Sequence, residues 1–317
     1  MNAVILGLGF LLDALLGDPQ GRWHPVALVG VLIEKLEGVL FPRKRNFRKE
    51  FVLGFILVVV LLVGLGGGYF VLGRFLWRRF PVLFLALEGY FIFSFLALRT
   101  LRKRGEEVKE ALERGDLPRA RACLKHLVGR DTEHLSEWEV VRGCVESLAE
   151  NFSDGFLAPL FYMSLLGGLG GLLYKITNTL DSMVGYQDFR YFFFGFASAR
   201  LDDILNFVPA RLSVFFIALG TIFTPGGARR ALRCALRDAR NHASPNAGWP
   251  ESAMAGALGI RLGGVNYYGG KREEMAFMGD SLQELTVERI GEALEIIRQG
   301  GMWAAGVFVA LSFFLWR

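Results

Sequence analysis

The sequence is poor in the residues that build cross-linked or metal-bound frameworks. It has three cysteines, Cys123, Cys144 and Cys234, and four histidines in 317 residues. An odd, sparse set of cysteines without metal-type spacing argues against a disulfide framework. The histidines are scattered, so we expect no zinc or haem site. We expect the cysteines to be small packing residues.

Motifs of several common enzyme classes are also absent. The chain has no G-x-S-x-G, no H-E-x-x-H and no dinucleotide fingerprint between a strand and a helix. A Gly-rich stretch at 263–271 misses the phosphate-binding pattern G-x-x-x-x-G-K-[ST] by one residue, although its amides could hold an anion. The first residues lack the basic segment of a cleavable signal, so we expect a retained helix there.

Apolar residues, in contrast, are abundant. They make up 52% of the chain, which includes 28 phenylalanines, and the mean hydropathy is +0.35. Lipid-facing helices tolerate phenylalanine well. However, 21% of the residues are charged, too many for a protein made only of spans. We expect the charge to lie in large loops or in a polar site between helices.

Apolar stretches predict an all-α, polytopic helical membrane protein with amphipathic and re-entrant helices. A span needs about 20 apolar residues. The candidate spans are 51–73, 80–98, 155–174, 204–228 and 299–316, with 1–17 the weakest. Glycines and Pro159 in the third, and Arg211 in the fourth, suggest re-entrant or broken helices. We predict a single integral membrane domain over residues 1–317 with polar loops at 99–154, 175–203 and 225–301.

Basic residues favour one side of the membrane for most loops. The net charge of +5 is explained by the positive-inside rule, which places 18–50, 99–154 and 225–301 in the cytoplasm; nucleic acid is not expected as a partner. Simple alternation places 175–203 outside, whereas re-entrant helices would bring it to the cytoplasmic side. We expect the inner (cytoplasmic) membrane, with the site on its cytoplasmic side.

The first polar cluster lies between residues 130 and 154. Arg130 and Asp131 open it, and the acids Glu146, Glu150 and Asp154 follow at intervals of four residues. On one helix face such neighbours repel by roughly a few tenths of a kcal/mol each, so arginines or a divalent cation must offset them. A solvated acidic face is the plain alternative, but the row runs into an apolar segment, which favours a functional site.

The second cluster combines a lysine with amide and carboxylate groups. Lys175, Asn178, Asp181 and Ser182 share one helix face at spacings of three and four. A structural Lys–Asp pair explains only part of this stripe. Lysine can hold a phosphate, and the Asn and Asp oxygens suit a metal ion.

The third cluster lies at the start of an apolar run. Arg200, Asp202 and Asp203 are followed by Arg211, which lies inside the apolar run. An ion-pair network and a metal–diphosphate site both fit these residues. An arginine inside a hydrophobic stretch is costly without partners, so we expect Arg211 to face a polar interior.

The fourth cluster joins a basic helix to a stiff turn. Five arginines between residues 229 and 240 recur every three or four positions and would share one face, either a membrane-surface anchor or an anion-binding face. The segment from Asp238 to Glu251 then contains two prolines, Gly248 and Asn246. Such turns hold ligands on a rigid scaffold.

Together the polar motifs match one family in order along almost the whole chain. They are Leu12-Asp-x-Leu-Leu-Gly-Asp-Pro19, His24-Pro25, Arg130-Asp-Thr-Glu-His134, Glu150-Asn-x-Ser-Asp-Gly155, Asn178-Thr-Leu-Asp-Ser-Met-Val-Gly-Tyr186, Ala199-Arg-Leu-Asp-Asp203, Ser244-Pro-Asn-Ala-Gly-Trp-Pro-Glu251, Arg261-Leu-Gly-Gly264 and Asn266-Tyr-Tyr-Gly269. This set resembles the adenosylcobinamide-phosphate synthase family of the cobalamin pathway. One small departure is Phe152, where a small hydroxylated residue is expected.

The resemblance implies an inner-membrane enzyme that joins aminopropanol phosphate, or a related amino-alcohol phosphate, to a carboxylate of adenosylcobyric acid. It implies ATP, and we add Mg²⁺ as a hypothesis, because a carboxylate must be activated before an amine attacks it. The corrinoid is then a substrate, and the lipid bilayer and other cobalamin-pathway enzymes are partners. The sequence leaves open which amino alcohol is used, which carboxylates bind metal, and the oligomeric state.

We assign hypothetical roles to the polar residues on this basis. The predicted catalytic residues are Asp131, Glu150, Asp238 and Glu251, of which Glu251 or Asp238 takes a proton from the attacking ammonium. The predicted substrate-binding residues are Arg130, Asn151, Lys175, Asn178, Arg200, Arg211, Asn246, Trp249 and Tyr267. The predicted metal ligands are Asp154, Asp181, Asp202 and Asp203, joined by Glu150.

Two alternatives from other classes remain. A Mg²⁺-dependent lipid-diphosphate transferase also uses acidic helices in the bilayer, and the spacing of Asn178, Asp181 and Asp188 resembles its motifs loosely. A corrinoid transporter or a membrane sensor would also need many polar contacts. The density of Asp, Asn and Arg favours catalysis over both.

Overall fold

The computed structural model describes residues 2–19, 21, 24–186, 188–222, 224 and 226–315, and their regular secondary structure is helical apart from one β-hairpin. The helices are α1 (Asn2–Leu16), α2 (Pro25–Leu40), α3 (Phe47–Arg79), α4 (Pro81–Phe95), α5 (Leu98–Glu113), α6 (Leu117–Leu124), α7 (Glu137–Asn151), α8 (Ala158–Leu166), α9 (Gly168–Val184), α10 (Phe196–Gly220), α11 (Gly227–Asp238), α12 (Gly248–Leu258) and α13 (Glu288–Leu315). A π-helical segment, Phe152–Leu157, joins α7 to α8. The antiparallel strands are β1 (Leu262–Tyr268) and β2 (Lys271–Met278).

Four helical stretches in the described part of the chain are long and apolar enough to cross a membrane. They are Phe47–Arg79, Pro81–Glu113, Phe196–Gly220 and Glu288–Leu315. The second runs through α4 and α5 across a two-residue break. Each contains or overlaps a predicted span; Trp316, the end of the last predicted span, lies outside the described residues. The prediction of a polytopic helical membrane protein is confirmed.

The third predicted span, 155–174, is broken as its glycines suggested. Gly167 separates α8 from α9 with φ of +64°, a conformation that glycine adopts readily. The chain turns back there, so that α9 packs closely on α8. A Cβ on Gly170 would lie 2.2 Å from the Tyr162 carbonyl oxygen, and the stacked rings of Tyr162 and Tyr174 have their centroids 5.6 Å apart. The fourth predicted span, 204–228, is not one helix either: α10 continues through Pro209 but ends at Gly220, and α11 begins at Gly227.

The chain divides into two compact units; the single domain stays a prediction. The first unit contains residues 1–97, 158–206 and 308–317. A buried acid in α4, Glu88, accepts hydrogen bonds from the Tyr69 hydroxyl of α3 and from the Gly168 N–H that opens α9. Because the first N–H groups of a helix have no partner within it, this carboxylate completes the beginning of α9 and fixes it to α3 and α4.

The second unit contains residues 98–157 and 207–307. All residues of α12 except Trp249 are buried, and its small residues let α11 approach closely: a Cβ on Gly256 would lie 2.5 Å from the Arg230 carbonyl oxygen. The arginines of α11 follow the predicted helix face, while Ala231, Cys234 and Ala235 are buried on the other. All three cysteines are buried free thiols. The hairpin lies in the polar segment that was predicted only as a loop.

Candidate active site in the second unit

A polar cavity of about 160 Å³ lies in the second unit. Its walls come from the loop at residues 127–130, α7, α12, the hairpin and His242, which follows the 3₁₀ turn Ala239–Asn241 after α11. The polar lining residues are Arg130, Glu146, Ser147, Glu150, His242, Glu251, Asn266 and Tyr268. Three of the predicted site residues, Arg130, Glu150 and Glu251, are therefore brought together from positions far apart in the sequence.

Two arginines and one glutamate form the buried base of this cavity. The Arg130 guanidinium donates to the Glu146 carboxylate and to Asn266 Oδ1, and Arg142 donates to the same Asn266 oxygen at 2.8 Å. Arg130 and Arg142 are 5% and 3% exposed. Burial lowers the pKa of Arg130, but the charge and hydrogen bond of Glu146 raise it overall. The neighbouring Glu146 therefore holds the Arg130 guanidinium in its charged form.

Local backbone features explain why this cluster forms. A capping box between Ser136 and Glu139 starts α7. Gly143 leaves room for Arg130, since a Cβ there would lie 2.9 Å from its guanidinium. At the base of β1, Gly263 has φ of +90°, and its N–H donates to Glu146 at 2.8 Å. Arg142 donates to the carbonyl oxygens of Gly263 and Val265. These contacts fix the hairpin against α7.

His242 and Glu251 lie beside each other at the cavity wall. The Ser244 N–H donates to His242 Nδ1 at 2.9 Å, so a neutral ring carries its proton on Nε2. That nitrogen lies 3.8 Å from a Glu251 oxygen. Burial raises the pKa of Glu251 well above its ordinary value, and the charges of Glu146 and Glu150 raise it further. Burial lowers the pKa of His242. A carboxyl group with a raised pKa is suited to exchanging a proton with a substrate.

The row of acids predicted on one helix face extends over two elements. Glu146 and Glu150 lie on α7, which ends at Asn151, and Asp154 follows in the π-helical segment. The charges of all three acids act on Glu251. Asn151 donates to the Ser147 carbonyl oxygen at 2.9 Å and to its hydroxyl at 3.0 Å, next to the cavity wall.

Asp131 is engaged by the tip of the hairpin. Its carboxylate accepts hydrogen bonds from the N–H groups of Gly269 at 3.2 Å and Gly270 at 2.7 Å, and these bonds, that of Gly270 first, lower its pKa. Its own N–H donates to the Tyr267 carbonyl oxygen. The Gly-rich stretch is thus a hairpin turn whose amides bind Asp131, and not a strand–loop–helix phosphate loop. The Tyr267 side chain is exposed and does not line the cavity.

Asp238 joins α11 to the end of the hairpin. Arg237 donates to both of its oxygens, at 2.7 and 2.8 Å, and the Gly279 N–H donates at 2.8 Å. These bonds, that of Arg237 first, lower the pKa of Asp238. Of the two predicted proton acceptors, Glu251 therefore has the environment of a base and Asp238 that of a structural anion.

Arg211, Asn246 and Trp249 form a separate group in the second unit. The Arg211 guanidinium lies 4.7 Å from the Trp249 ring centroid and 3.5 Å from that of Phe207, and it donates to Asn246 at 3.4 Å. Three predicted substrate-binding residues thus meet, as expected for an arginine that needs partners inside an apolar segment.

The acids of α9 and α10 belong to the first unit. Asp202 is buried and accepts from Asn206 at 2.8 Å and from Asn178 at 3.4 Å, and the Tyr174 hydroxyl donates to Asn206 at 2.9 Å. Lys175 is a charged neighbour of Asp202. Arg200 and Asp203 form a more exposed pair at 3.2 Å.

The magnesium site stays a prediction. Asp181, Asp202 and Asp203 lie in the first unit and Asp154 in the second. Within the described residues, no group of three or more His, Cys, Asp or Glu side chains is arranged to hold a metal ion. Mg²⁺ often uses one or two carboxylates with water and phosphate oxygens. The Asp202 carboxylate, together with the Asn178 amide oxygen, has the hard oxygen donors of such a site.

A set of contacts at one end of the first unit, which we call the clasp, fixes the position of residues 188–195. The clasp consists of Glu37 with Arg190 and Tyr191, and of the ring pair Phe47 and Phe193. The buried Glu37 of α2 accepts hydrogen bonds from Arg190 and from the Tyr191 hydroxyl, both at 2.8 Å. The rings of Phe47 and Phe193 lie 4.6 Å apart. Residues 188–195 therefore lie at the same end of the unit as the basic segment before α3.

Sequence reasoning missed several residues of the cavity. Arg142, His242, Asn266 and Tyr268 were assigned no role, and Glu146 only one in the acidic row. The spacing of Arg142 and Glu146, four residues apart in α7, was an available signal for an ion pair. The hairpin contribution had no such signal, because contacts between residues more than 100 positions apart depend on the tertiary fold.

Comparison with known proteins agrees with the resemblance seen in the motifs. The CobD/Cbib protein family model matches residues 6–297. A cobalamin biosynthesis protein CobD of Geobacter metallireducens is 46% identical, covering 90% of this chain and 88% of its own. Those of Clostridium perfringens and Klebsiella pneumoniae are 37% and 38% identical, covering 96% and 97% of this chain and 95% and 97% of theirs. No solved structure gives a significant match. The chain belongs to the CobD/CbiB protein family.

Proposed function

We propose that the chain is the amide-forming enzyme of a cobalamin pathway, an ATP-dependent ligase that joins an amino-alcohol phosphate to a carboxylate of adenosylcobyric acid. The observation that carries this proposal is the cavity that brings Glu251 together with Glu146, Glu150 and His242. Burial raises the pKa of Glu251 there. The names of its relatives, cobalamin biosynthesis proteins, support the pathway.

The cavity matches the amine better than the corrinoid. A volume of about 160 Å³ suits a molecule of about ten non-hydrogen atoms, judged against ligand pockets of roughly 300–1,000 Å³ for drug-sized molecules. Acidic side chains attract the ammonium group, and Arg130 at the base attracts the phosphate.

Glu251 is the residue that we assign to proton removal. An ammonium group has no lone pair, so it must lose a proton before it attacks an acyl group. A carboxylate with a raised pKa accepts that proton more readily than an ordinary one. His242 has its Nε2–H beside Glu251 and a fixed tautomer. We assign His242 to orienting the Glu251 carboxylate, through this Nε2–H.

ATP and Mg²⁺ would activate the corrinoid carboxylate by phosphorylating it. Phosphate is then the leaving group when the amine attacks. We assign their binding to the Lys175, Asn178 and Asp202 group, because it offers a cation for phosphate and oxygen donors for Mg²⁺. Arg211 with Asn246 and Trp249 is a second candidate for an anionic group. Asp181, Asp203 and Arg200 lie on the same two helices, α9 and α10, and are kept as further candidates.

The cytoplasmic side is supported by the clasp. Residues 188–195 lie beside a segment that contains Arg43, Lys44, Arg45, Arg48 and Lys49. The positive-inside rule places such a segment in the cytoplasm. The Asp202 group follows this loop in α10, so it would be open to cytosolic ATP. We place the protein in the inner membrane on the same ground.

The test is a direct assay for the amide. Purified full-length protein in detergent is incubated with adenosylcobyric acid, aminopropanol phosphate, ATP and Mg²⁺, and the product is identified by mass spectrometry. We expect adenosylcobinamide phosphate and one ATP hydrolysed per amide. Corrinoid binding without turnover would instead favour a transporter or a sensor, and turnover of a prenyl diphosphate would favour the transferase.

A further inference from the structure

A second concavity of about 790 Å³ lies on the opposite side of strand β1 from the cavity. We call it the groove and define it by Trp138, Arg142, Arg261, Gly264, Phe277 and Leu282. The two concavities share Gly263 as a wall. Along β1, Asn266 and Tyr268 line the cavity and Val265 lines the groove, as the alternation of side chains in a strand requires.

The groove has three exposed apolar side chains as neighbours, which indicates a ligand-binding surface. Trp138, Phe277 and Leu282 are 51%, 54% and 63% exposed. Neighbouring exposed apolar side chains of this size mark binding surfaces more often than scattered single ones. Gly264 keeps the floor open between them: its φ is +98°, and a Cβ there would lie 2.8 Å from the Arg142 guanidinium and 3.1 Å from the Phe277 ring.

The positive charge of Arg261 at the rim of the groove indicates a ligand with an acidic group. The Arg261 guanidinium lies 4.4 Å from the Phe277 ring centroid. Within the described residues no carboxylate lies at salt-bridge distance from it. A guanidinium stacked on a ring keeps its N–H edge available for a carboxylate.

We propose that the groove binds the corrinoid carboxylic acid, with its apolar face against Trp138 and Phe277 and a peripheral carboxylate on Arg261. This inference rests on the proposed function. The groove has about five times the volume of the cavity, and it adjoins the cavity across a single strand. The two substrates would thus approach β1 from opposite sides. Tyr267 and Trp249, two of the predicted substrate-binding residues, do not line the groove.

The test measures corrinoid binding apart from the reaction. Full-length protein in detergent is titrated with adenosylcobyric acid, without ATP or amine, by equilibrium dialysis read at the visible absorbance of the corrinoid. We expect Arg261→Ala and Phe277→Ala each to weaken binding about tenfold, the size expected for one charge-assisted bond or one buried ring. Arg272→Ala, which removes an exposed arginine from the same hairpin, is the matched control and should leave the affinity unchanged.

The outcomes separate this inference from the proposed function. Unchanged affinity in both groove variants, with amide formation by the wild type, overturns the groove and leaves the function standing. Weakened binding in both variants without amide formation by the wild type supports the groove and overturns the function. If the wild type does not bind adenosylcobyric acid, the groove is overturned. If Trp138→Phe retains the wild-type affinity while Trp138→Ala loses it, the aromatic contact is supported independently of charge.

Discussion

Glu88 and Asp202 of the first unit and Glu146 of the second are buried acids that are held by different kinds of partner. In the first unit Glu88 and Asp202 accept hydrogen bonds from neutral donors, a hydroxyl, a backbone N–H and two amides. In the second unit Glu146 lies between two arginines. A carboxylate with neutral donors can be replaced by an amide with little change in charge balance, whereas Glu146 balances two cations. The difference indicates which acids mainly join helices and which set the electrostatics of a site.

The largest effect is expected where charge balance is broken. Glu146→Gln leaves Arg130 and Arg142 buried without their counter-charge. Loss of one partner of a buried pair costs about 3–5 kcal/mol, so we expect the free energy of unfolding to fall by that amount. Urea unfolding in detergent, followed by circular dichroism, measures it.

The control for this variant is an exposed ion pair. Glu295 pairs with Arg298, and both side chains are more than a third exposed. Glu295→Gln should therefore lower the free energy of unfolding by less than about 1 kcal/mol. Equal losses in the two variants would show that the buried cluster is no more important to stability than a surface pair.

The fold and the site differ in how far they could be predicted from sequence. Spans and the break at Gly167 follow from local composition, since hydropathy and glycine act within one segment. Arg130, Glu150 and Glu251 were selected from motifs that resemble those of one family. The hairpin that supplies Asn266 and Tyr268 was missed, because its strand pairing and its contact with Arg142 connect distant parts of the chain.

Asp131 and Asp238 show the limit of reasoning from residue type. Both are acids in conspicuous motifs, and both were assigned to catalysis. Their oxygens accept hydrogen bonds from the backbone of the hairpin region, Asp131 from Gly269 and Gly270 and Asp238 from Gly279. A motif marks a residue with a fixed position, but the partners decide whether it acts on a ligand or on the fold.

A second large effect is expected at Glu251, this time on activity. Glu251→Gln keeps the shape of the side chain and removes the proton acceptor, so we expect amide formation to fall about 10²- to 10⁴-fold. Asp238→Asn is the matched variant, and we expect amide formation to persist once folding is confirmed. An active Glu251→Gln enzyme would remove Glu251 from the mechanism.

The stability of the same variant should depend on pH in a defined direction. Because the folded-state pKa of Glu251 is raised, the wild type loses stability as the pH rises from the unfolded-state pKa, about 4.3, through the raised folded value. Glu251→Gln has no such loss. The stability of the variant relative to the wild type should therefore increase with pH above about 4.3. A constant difference between pH 4 and 8 would contradict this, as measured by unfolding at each pH.

A smaller effect on stability is expected in the first unit. Asp202→Asn retains groups that can hydrogen-bond Asn178 and Asn206, so we expect the free energy of unfolding to change by about 1 kcal/mol or less. If the Asp202 group binds Mg²⁺, the variant should need a higher Mg²⁺ concentration for amide formation. An unchanged Mg²⁺ dependence in Asp202→Asn and in Asp203→Asn would remove both from the metal site.

The smallest energetic effect is expected at the clasp, the contacts that hold residues 188–195 against α2 and α3. The side of the membrane on which the clasp lies can nevertheless be measured. Arg190 is largely exposed, 60% for its side chain, so Arg190→Ala should change the free energy of unfolding by less than about 1 kcal/mol.

Single cysteines at Asp188, Lys44 and Arg79 can be labelled in intact cells with a membrane-impermeant maleimide. The native cysteines are buried, so the background should be low. Because residues 188–195 contact α2 and α3 at the end opposite to Arg79 along α3, positions 188 and 44 should be protected together and position 79 labelled. Labelling of 188 and 79 without 44 would contradict the clasp, and labelling of 188 and 44 without 79 would place both the clasp and the α9–α10 loop outside, away from cytosolic ATP.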